Sequence, residues 1–229
     1  MSSTVIDPES LAARLSDLKS IDDPHTGKAL PSAVGQRSPL WPLAPHWARI
    51  ELRQVTEQGA RRLEEYAFRP VPDAAHLPIF PGADLPVAFM IERQASDAVA
   101  RLYSAHQFVA DRGPLLPVDA QLVPHRGPQD ILARYFPTLH AAALEPTLAL
   151  FETDGYLQHS NGETFRGRER LRIDFTKFFQ SGGIKLRYCN KTDQGAITAL
   201  ECFMPSGRPA VAVYERGRTG LVGAVRLYL

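Results

Sequence analysis

The chain has 229 residues, 44% of them apolar and 22% charged, with a net charge of +1. That is enough length and apolar content for one large core or two small ones. Arg and Lys are scattered along the whole chain, which excludes the concentrated basic face that a phosphate backbone requires. The two cysteines, Cys189 and Cys202, have no metal-ligand spacing and form no disulfide framework, so no metal site is expected. The opening MSSTVIDPES lacks the basic and apolar regions of a signal peptide, and no apolar run approaches the ~20 residues that cross a bilayer. The expectation is a cytoplasmic protein with no nucleic-acid or membrane partner.

Along the chain, Asp7 to Ile21 is predicted as an amphipathic helix with Pro8 near its start. Asp22 to His46 is rich in Pro, Gly and Ser. Short strand-like blocks rich in Val, Leu, Tyr and Phe follow, interrupted by the proline-rich insert Arg69 to Pro86, a candidate lid or interaction arm. From Pro128 to Ala142 the apolar residues Ile131, Leu132, Tyr135, Phe136 and Leu139 fall on one helical face, with Pro137 expected to bend the helix or start a new turn. A second helix is predicted over Glu145 to Phe151. DGYLQHSNGETFRG then reads as strand, turn and return strand, and Arg168 to Phe179 as a third helix.

The strand blocks repeat. LRQVTEQGARRLEEYAF from Leu52 matches LRYCNKTDQGAITALECF from Leu186, with Glu65 opposite Glu201. PVAFMIER from Pro86 matches PAVAVYER from Pro209, and VARLY from Val99 matches AVRLY from Ala224. Three matched blocks in one order indicate an internal duplication. Each copy is expected to supply a three-stranded antiparallel meander, and helices precede it only in the second. The expected division is residues 1–112, a degenerate half with one helix and a sheet, and residues 113–229, a complete domain.

The segment ARYFPTLHAAALEPTLALFETDGYLQHSNGETFRGRERLRIDFTKFF resembles the opening of NTF2-like domains of the SnoaL-like or ketosteroid-isomerase-like branch. Its matching residues are Phe151, Asp154, Gly155, Gly162, Gly167, Arg168 and Glu169. The resemblance implies an α+β fold in which a cone-shaped antiparallel sheet wraps helices around a pocket. It also implies pairing through the sheets, here as an intramolecular pseudo-dimer or a homodimer. The activity implied is proton-transfer chemistry on a small hydrophobic molecule, without cofactor: isomerisation, cyclisation, dehydration or epoxide opening. The alternative is a non-catalytic ligand-binding or assembly protein, because fold does not decide function.

The ketosteroid-isomerase branch carries a carboxylate base at the position of His159, an oxyanion-binding tyrosine at that of Tyr135, and an aspartic acid on the penultimate strand, which here holds none. A histidine can serve as base, although His159 also fits a solvent-facing hairpin position. Strand alternation offers two sets. If Phe203 lines the pocket, so do Glu201 and Ala199; Ala212, Tyr214 and Arg216 share one face of the next strand. Glu201 is then a candidate acid or His159-orienting group, or else pairs with Arg187 or Lys185. The candidate catalytic residues are thus His159, Glu201, Tyr135 and Tyr214. Asp154, Leu157, Phe175, Phe179, Ala199, Phe203, Ala212 and Arg216 are candidate substrate contacts.

Overall fold

The computed structural model describes residues 4–6, 20–22, 29–30, 48–70, 84–93, 98–104 and 129–229. The chain divides into two compact units. The first comprises Met1–Leu115 with Ser160–Gly162 and Tyr228–Leu229, and the second Leu116–His159 and Glu163–Leu227.

The first unit is a seven-stranded sheet in the order β1-β4-β5-β6-β7-β2-β3. Its strands are β1 (Thr4–Ile6), β2 (Ser20–Asp22), β3 (Ala29–Leu30), β4 (Ala48–Gln58), β5 (Arg61–Pro70), β6 (Leu85–Arg93) and β7 (Ala98–Ser104). Strands β4 to β7 form an antiparallel meander, and β2 joins β7 in parallel. The helix expected over Asp7 to Ile21 lies outside the described residues, apart from Ser20 and Ile21, which belong to β2. Most of the Arg69 to Pro86 insert is outside them as well.

The second unit is α+β. Helices α1 (Ile131–His140), α2 (Leu144–Leu148) and α3 (Gly167–Phe179) accompany six strands: β8 (Phe151–Gln158), β9 (Thr164–Arg166), β10 (Arg187–Asp193), β11 (Ile197–Phe203), β12 (Pro209–Arg216) and β13 (Val222–Tyr228). The sheet order is β10-β11-β12-β13-β8-β9, with β8 parallel to β13. Asp130 caps α1 by accepting from the Leu132 amide at 2.8 Å. The helix continues through Pro137. Helix α2 stops before Phe151, which instead begins β8.

The matched sequence blocks are matched strands down to their register. Gln54 pairs with Glu65 after an irregularity at Arg53, and Asn190 pairs with Glu201 after one at Cys189. Gly59 and Gly195 turn the two hairpins at φ of 60° and 95°, a conformation that favours glycine. Thr56 and Thr192 are fully buried in their respective units, as are Glu65 and Glu201. The first block of each copy is a hairpin rather than one strand, so each meander has four strands, not three.

Between α3 and β10 the chain turns back onto the end of α1. Ile184 N donates to Leu139 O at 3.2 Å, and Gly183 lies so close that an added Cβ would stand 2.5 Å from His140 O. Its φ of +86° is itself adverse for any side chain. Gly183→Ala is therefore expected to destabilise the protein by about 2 kcal/mol or more, read as a lower denaturant midpoint at unchanged slope.

Candidate functional site

Helix α1 lies on the sheet face that carries Tyr188, Ala212 and Tyr214. Phe136 meets Tyr188 and Tyr214 edge-on, with ring centroids 5.4 and 5.2 Å away, and Tyr135 meets Tyr214 at 5.9 Å. Beside this aromatic cluster is an apolar cavity of about 30 Å³, whose lining includes Tyr135, Leu157, Phe175, Phe178, Ala212 and Tyr214. Among the described residues no hydrogen-bond partner reaches the hydroxyl of Tyr135 or Tyr214. Burial pushes both phenols far above their ordinary 10.0. Neighbouring groups add to this, Tyr188 and Asp174 for Tyr135, and Tyr135, Tyr188 and Cys202 for Tyr214. Both tyrosines are therefore protonated donors at neutral pH.

His159 follows β8 and engages α3. Its Nε2 lies 2.9 Å from Asp174 Oδ2, and its ring stacks on Phe178 with centroids 5.4 Å apart and planes 15° from parallel. Phe165 of β9 supports it at 5.2 Å. The Asp174 side chain is only 5% exposed and that of His159 23%, so the pair is shielded at one end and open at the other. Phe178 joins the two features, because its ring both stacks on His159 and lines the cavity.

The His159–Glu201 meeting does not form. On β11, Leu200 opposes Ala212 and Thr198 opposes Tyr214, whereas Glu201 opposes Val211 and Ala199 opposes Val213. Opposed residues share a face. Glu201, Ala199 and Phe203 consequently lie on the sheet face away from the cavity, all buried. Glu201 accepts a hydrogen bond from Asn190 Nδ2 at 3.2 Å, rather than pairing with His159. Phe203 receives the Arg187 guanidinium over its ring at 5.0 Å.

Arg216 does share the face of Ala212 and Tyr214, but protein groups occupy its guanidinium. Nε and Nη2 donate to Asp130 Oδ2 at 3.1 and 3.0 Å, and Nη1 donates to Gly195 O and Thr198 Oγ1, each at 2.9 Å. It ties the α1 cap to the sheet. Asp154 is exposed on β8, and Phe179 packs on Phe175 at 5.5 Å without lining the cavity. Leu157, Phe175, Ala212, Tyr135 and Tyr214 are brought together.

Asp174 is the residue the sequence reading missed. Its signal was present: it follows Leu171 by three and precedes Phe178 by four, which puts a carboxylate on the apolar stripe of α3. A buried carboxylate must find a partner. Among the described residues no group of three or more His, Cys, Asp or Glu side chains is placed to hold a metal ion. Nor is any described helix long and apolar enough to cross a membrane.

No protein-family model and no curated protein matches the chain. Solved structures similar to its C-terminal half include SnoaL-like, NTF2-like and ketosteroid-isomerase-like proteins. A SnoaL-like protein of unknown function from Burkholderia thailandensis is 14% identical, with 44% of this chain and 93% of that one covered at a TM-score of 0.39. An NTF2-like protein of unknown function from Cytophaga hutchinsonii is also 14% identical, over 47% of this chain and 93% of its own, with a TM-score of 0.39. A provisionally named ketosteroid isomerase from Kribbella flavida is 22% identical, over 43% of this chain and 75% of its own, with a TM-score of 0.38.

Proposed function

We propose that the second unit performs acid–base chemistry on a small, neutral, apolar molecule with its own side chains, His159 moving the proton. The observation that carries this reading is the His159–Asp174 pair, held at 2.9 Å beside a cavity lined by two protonated phenols. With Nε2–H donated to the Asp174 carboxylate, Nδ1 keeps the lone pair and is the basic atom. It would take a proton from a carbon next to a carbonyl. The C–H electrons move into the new C=C bond, and the carbonyl oxygen becomes an enolate that Tyr135 or Tyr214 stabilises by hydrogen bonding. Where the deprotonated carbon also adjoins a C=C bond, the enolate extends into a dienolate. The imidazolium, steadied by Asp174, then returns the proton to the far alkene carbon, and the double bond shifts into conjugation with the re-formed carbonyl, completing an isomerisation. Such acid–base assistance is typically worth roughly 10²–10⁴-fold.

The cavity of about 30 Å³ is far smaller than the ~300 Å³ at the low end of ligand pockets. Entry therefore requires Phe178, half-buried on the last turn of α3, to swing out, and that movement would open the cavity directly onto His159. Phe178→Ala is expected to cost about 2 kcal/mol of stability, below the ~3–5 kcal/mol of a fully buried Phe. It should also tighten binding of a neutral probe such as indole at least tenfold, measured by calorimetry. Unchanged or weaker binding would count against entry at Phe178.

The small cavity favours one other reading, a binding or assembly module without turnover. The two separate by hydrogen exchange at the α-carbon of a small cyclic β,γ-unsaturated ketone in D₂O, followed by NMR. Catalysed exchange that disappears in His159→Ala supports the proposal, and binding without accelerated exchange supports the module.

A further inference from the structure

The duplication gives one edge of the second sheet a covered counterpart in the first. In the first unit β1 closes the edge of β4, with Thr4, Val5 and Ile6 antiparallel to Leu52, Glu51 and Ile50. On its other side β4 pairs Glu51 with Ala67 and Leu52 with Tyr66. In the second unit Arg187 pairs with Phe203 and Tyr188 with Cys202. The matched Gln54–Glu65 and Asn190–Glu201 pairs set the correspondence. Leu186, Arg187 and Tyr188 therefore take the places of Ile50, Glu51 and Leu52. Among the described residues β10 ends its sheet, with no strand in the place of β1. Apart from the pairing with β11, no hydrogen bond reaches the main chain of Lys185, Leu186 or Tyr188 there. The Arg187 carbonyl has only the Cys189 thiol, 3.9 Å away. An unpaired edge is a template for another strand.

Charge distinguishes the two edges. Glu51 is buried and met by Arg53 at 3.4 Å and Arg69 at 3.2 Å. Arg187 in its place is exposed, as is Lys185, and among the described residues neither has a carboxylate partner. The Arg187 guanidinium lies over Phe203 on the sheet face away from the cavity, whereas Leu186 lines the cavity. By alternation Tyr188 shares the face of Leu186, where it meets Phe136.

We propose that the Lys185–Tyr188 edge docks an extended segment of a partner protein, added as an antiparallel strand in the way β1 is added to β4. The partner's apolar side chains fall opposite Leu186 and Tyr188, and its acidic ones opposite Arg187 and Lys185. Main-chain hydrogen bonds supply the affinity, and the alternate side chains supply the choice of partner. A second copy of this edge is a poor occupant, because antiparallel pairing would set Lys185 and Arg187 of each copy against those of the other. The docking is independent of the chemistry proposed for His159.

The test titrates the peptide acetyl-Gly-Val-Glu-Ile-Glu-Gly-amide into the ¹⁵N-labelled full chain. The expected result is saturable shifts of the Lys185 to Tyr188 amides, with cross-strand NOEs from the peptide to Leu186 and Tyr188. A peptide with lysine in place of both glutamates should bind at least about tenfold more weakly, since opposed charges become like charges. The double variant Lys185→Glu, Arg187→Glu should reverse that preference, its unchanged denaturant midpoint showing that it folds. The wild-type chain with the two peptides is by itself decisive if the variant does not fold. Absent saturation, shifts confined to other residues, or equal binding of both peptides overturns the proposal. So does a dimer of the free chain whose Lys185 to Tyr188 amides are already protected, which would assign the edge to a second copy.

Discussion

Asp174→Asn is expected to lower α-proton exchange in the ketone probe about 10²–10⁴-fold while leaving binding of the probe within a few-fold of wild type. Asparagine has almost the volume of aspartate and can still meet His159 Nε2, so the packing around Leu171, Phe175 and Phe178 survives. It carries no negative charge to steady the imidazolium, and an amide N–H presented to Nε2 forces the opposite tautomer, which removes the lone pair from Nδ1. A rate effect without a binding effect is the signature of an interaction made only in the transition state. Equal loss of binding and exchange would instead mean that Asp174 merely holds α3 in place.

Arg216→Ala should have the largest effect on stability, about 3–5 kcal/mol, read as a fall in Tm on the order of 10 °C. The side chains of Arg216 and Asp130 are 12% and 4% exposed, so removing the guanidinium leaves a carboxylate buried without its counterion. The other oxygen of that carboxylate, Oδ1, caps α1, and the freed Gly195 carbonyl and Thr198 hydroxyl lose their donor. Arg216→Lys keeps the charge but not the planar fork, and should recover only part of the loss. A fall of less than 1 kcal/mol in Arg216→Ala would show that the network is not holding helix to sheet.

What the sequence made legible follows from periodicity. The apolar spacing of Ile131, Leu132, Tyr135, Phe136 and Leu139 located α1 and its buried face, and the matched blocks located corresponding segments of sheet in both units, although each first block is a hairpin where one strand was expected. The orientation of β11 was not legible. Every residue from Ile197 to Phe203 is buried, so alternation marks two faces without saying which one meets the helices. Taking the aromatic Phe203 as the cavity-facing residue reversed the strand and drew Glu201 into the site with it. The register against β12 corrects this, and a register cannot be read from one strand. Asp174 was legible in principle, since a carboxylate on an apolar helical stripe needs a reason to be there. Pairing it with His159 required the β8–β9 hairpin to be folded over α3.

The most direct test is a crystal structure of the full chain soaked with a saturated cyclic ketone at high concentration. The predicted result is the ketone in the cavity, its oxygen within hydrogen-bond distance of the Tyr135 or Tyr214 hydroxyl, and the Phe178 ring rotated away so that His159 faces the α-carbon. A ketone bound elsewhere, with Phe178 still stacked on His159 and the cavity unchanged, would contradict the assignment of this cavity and this histidine to one site.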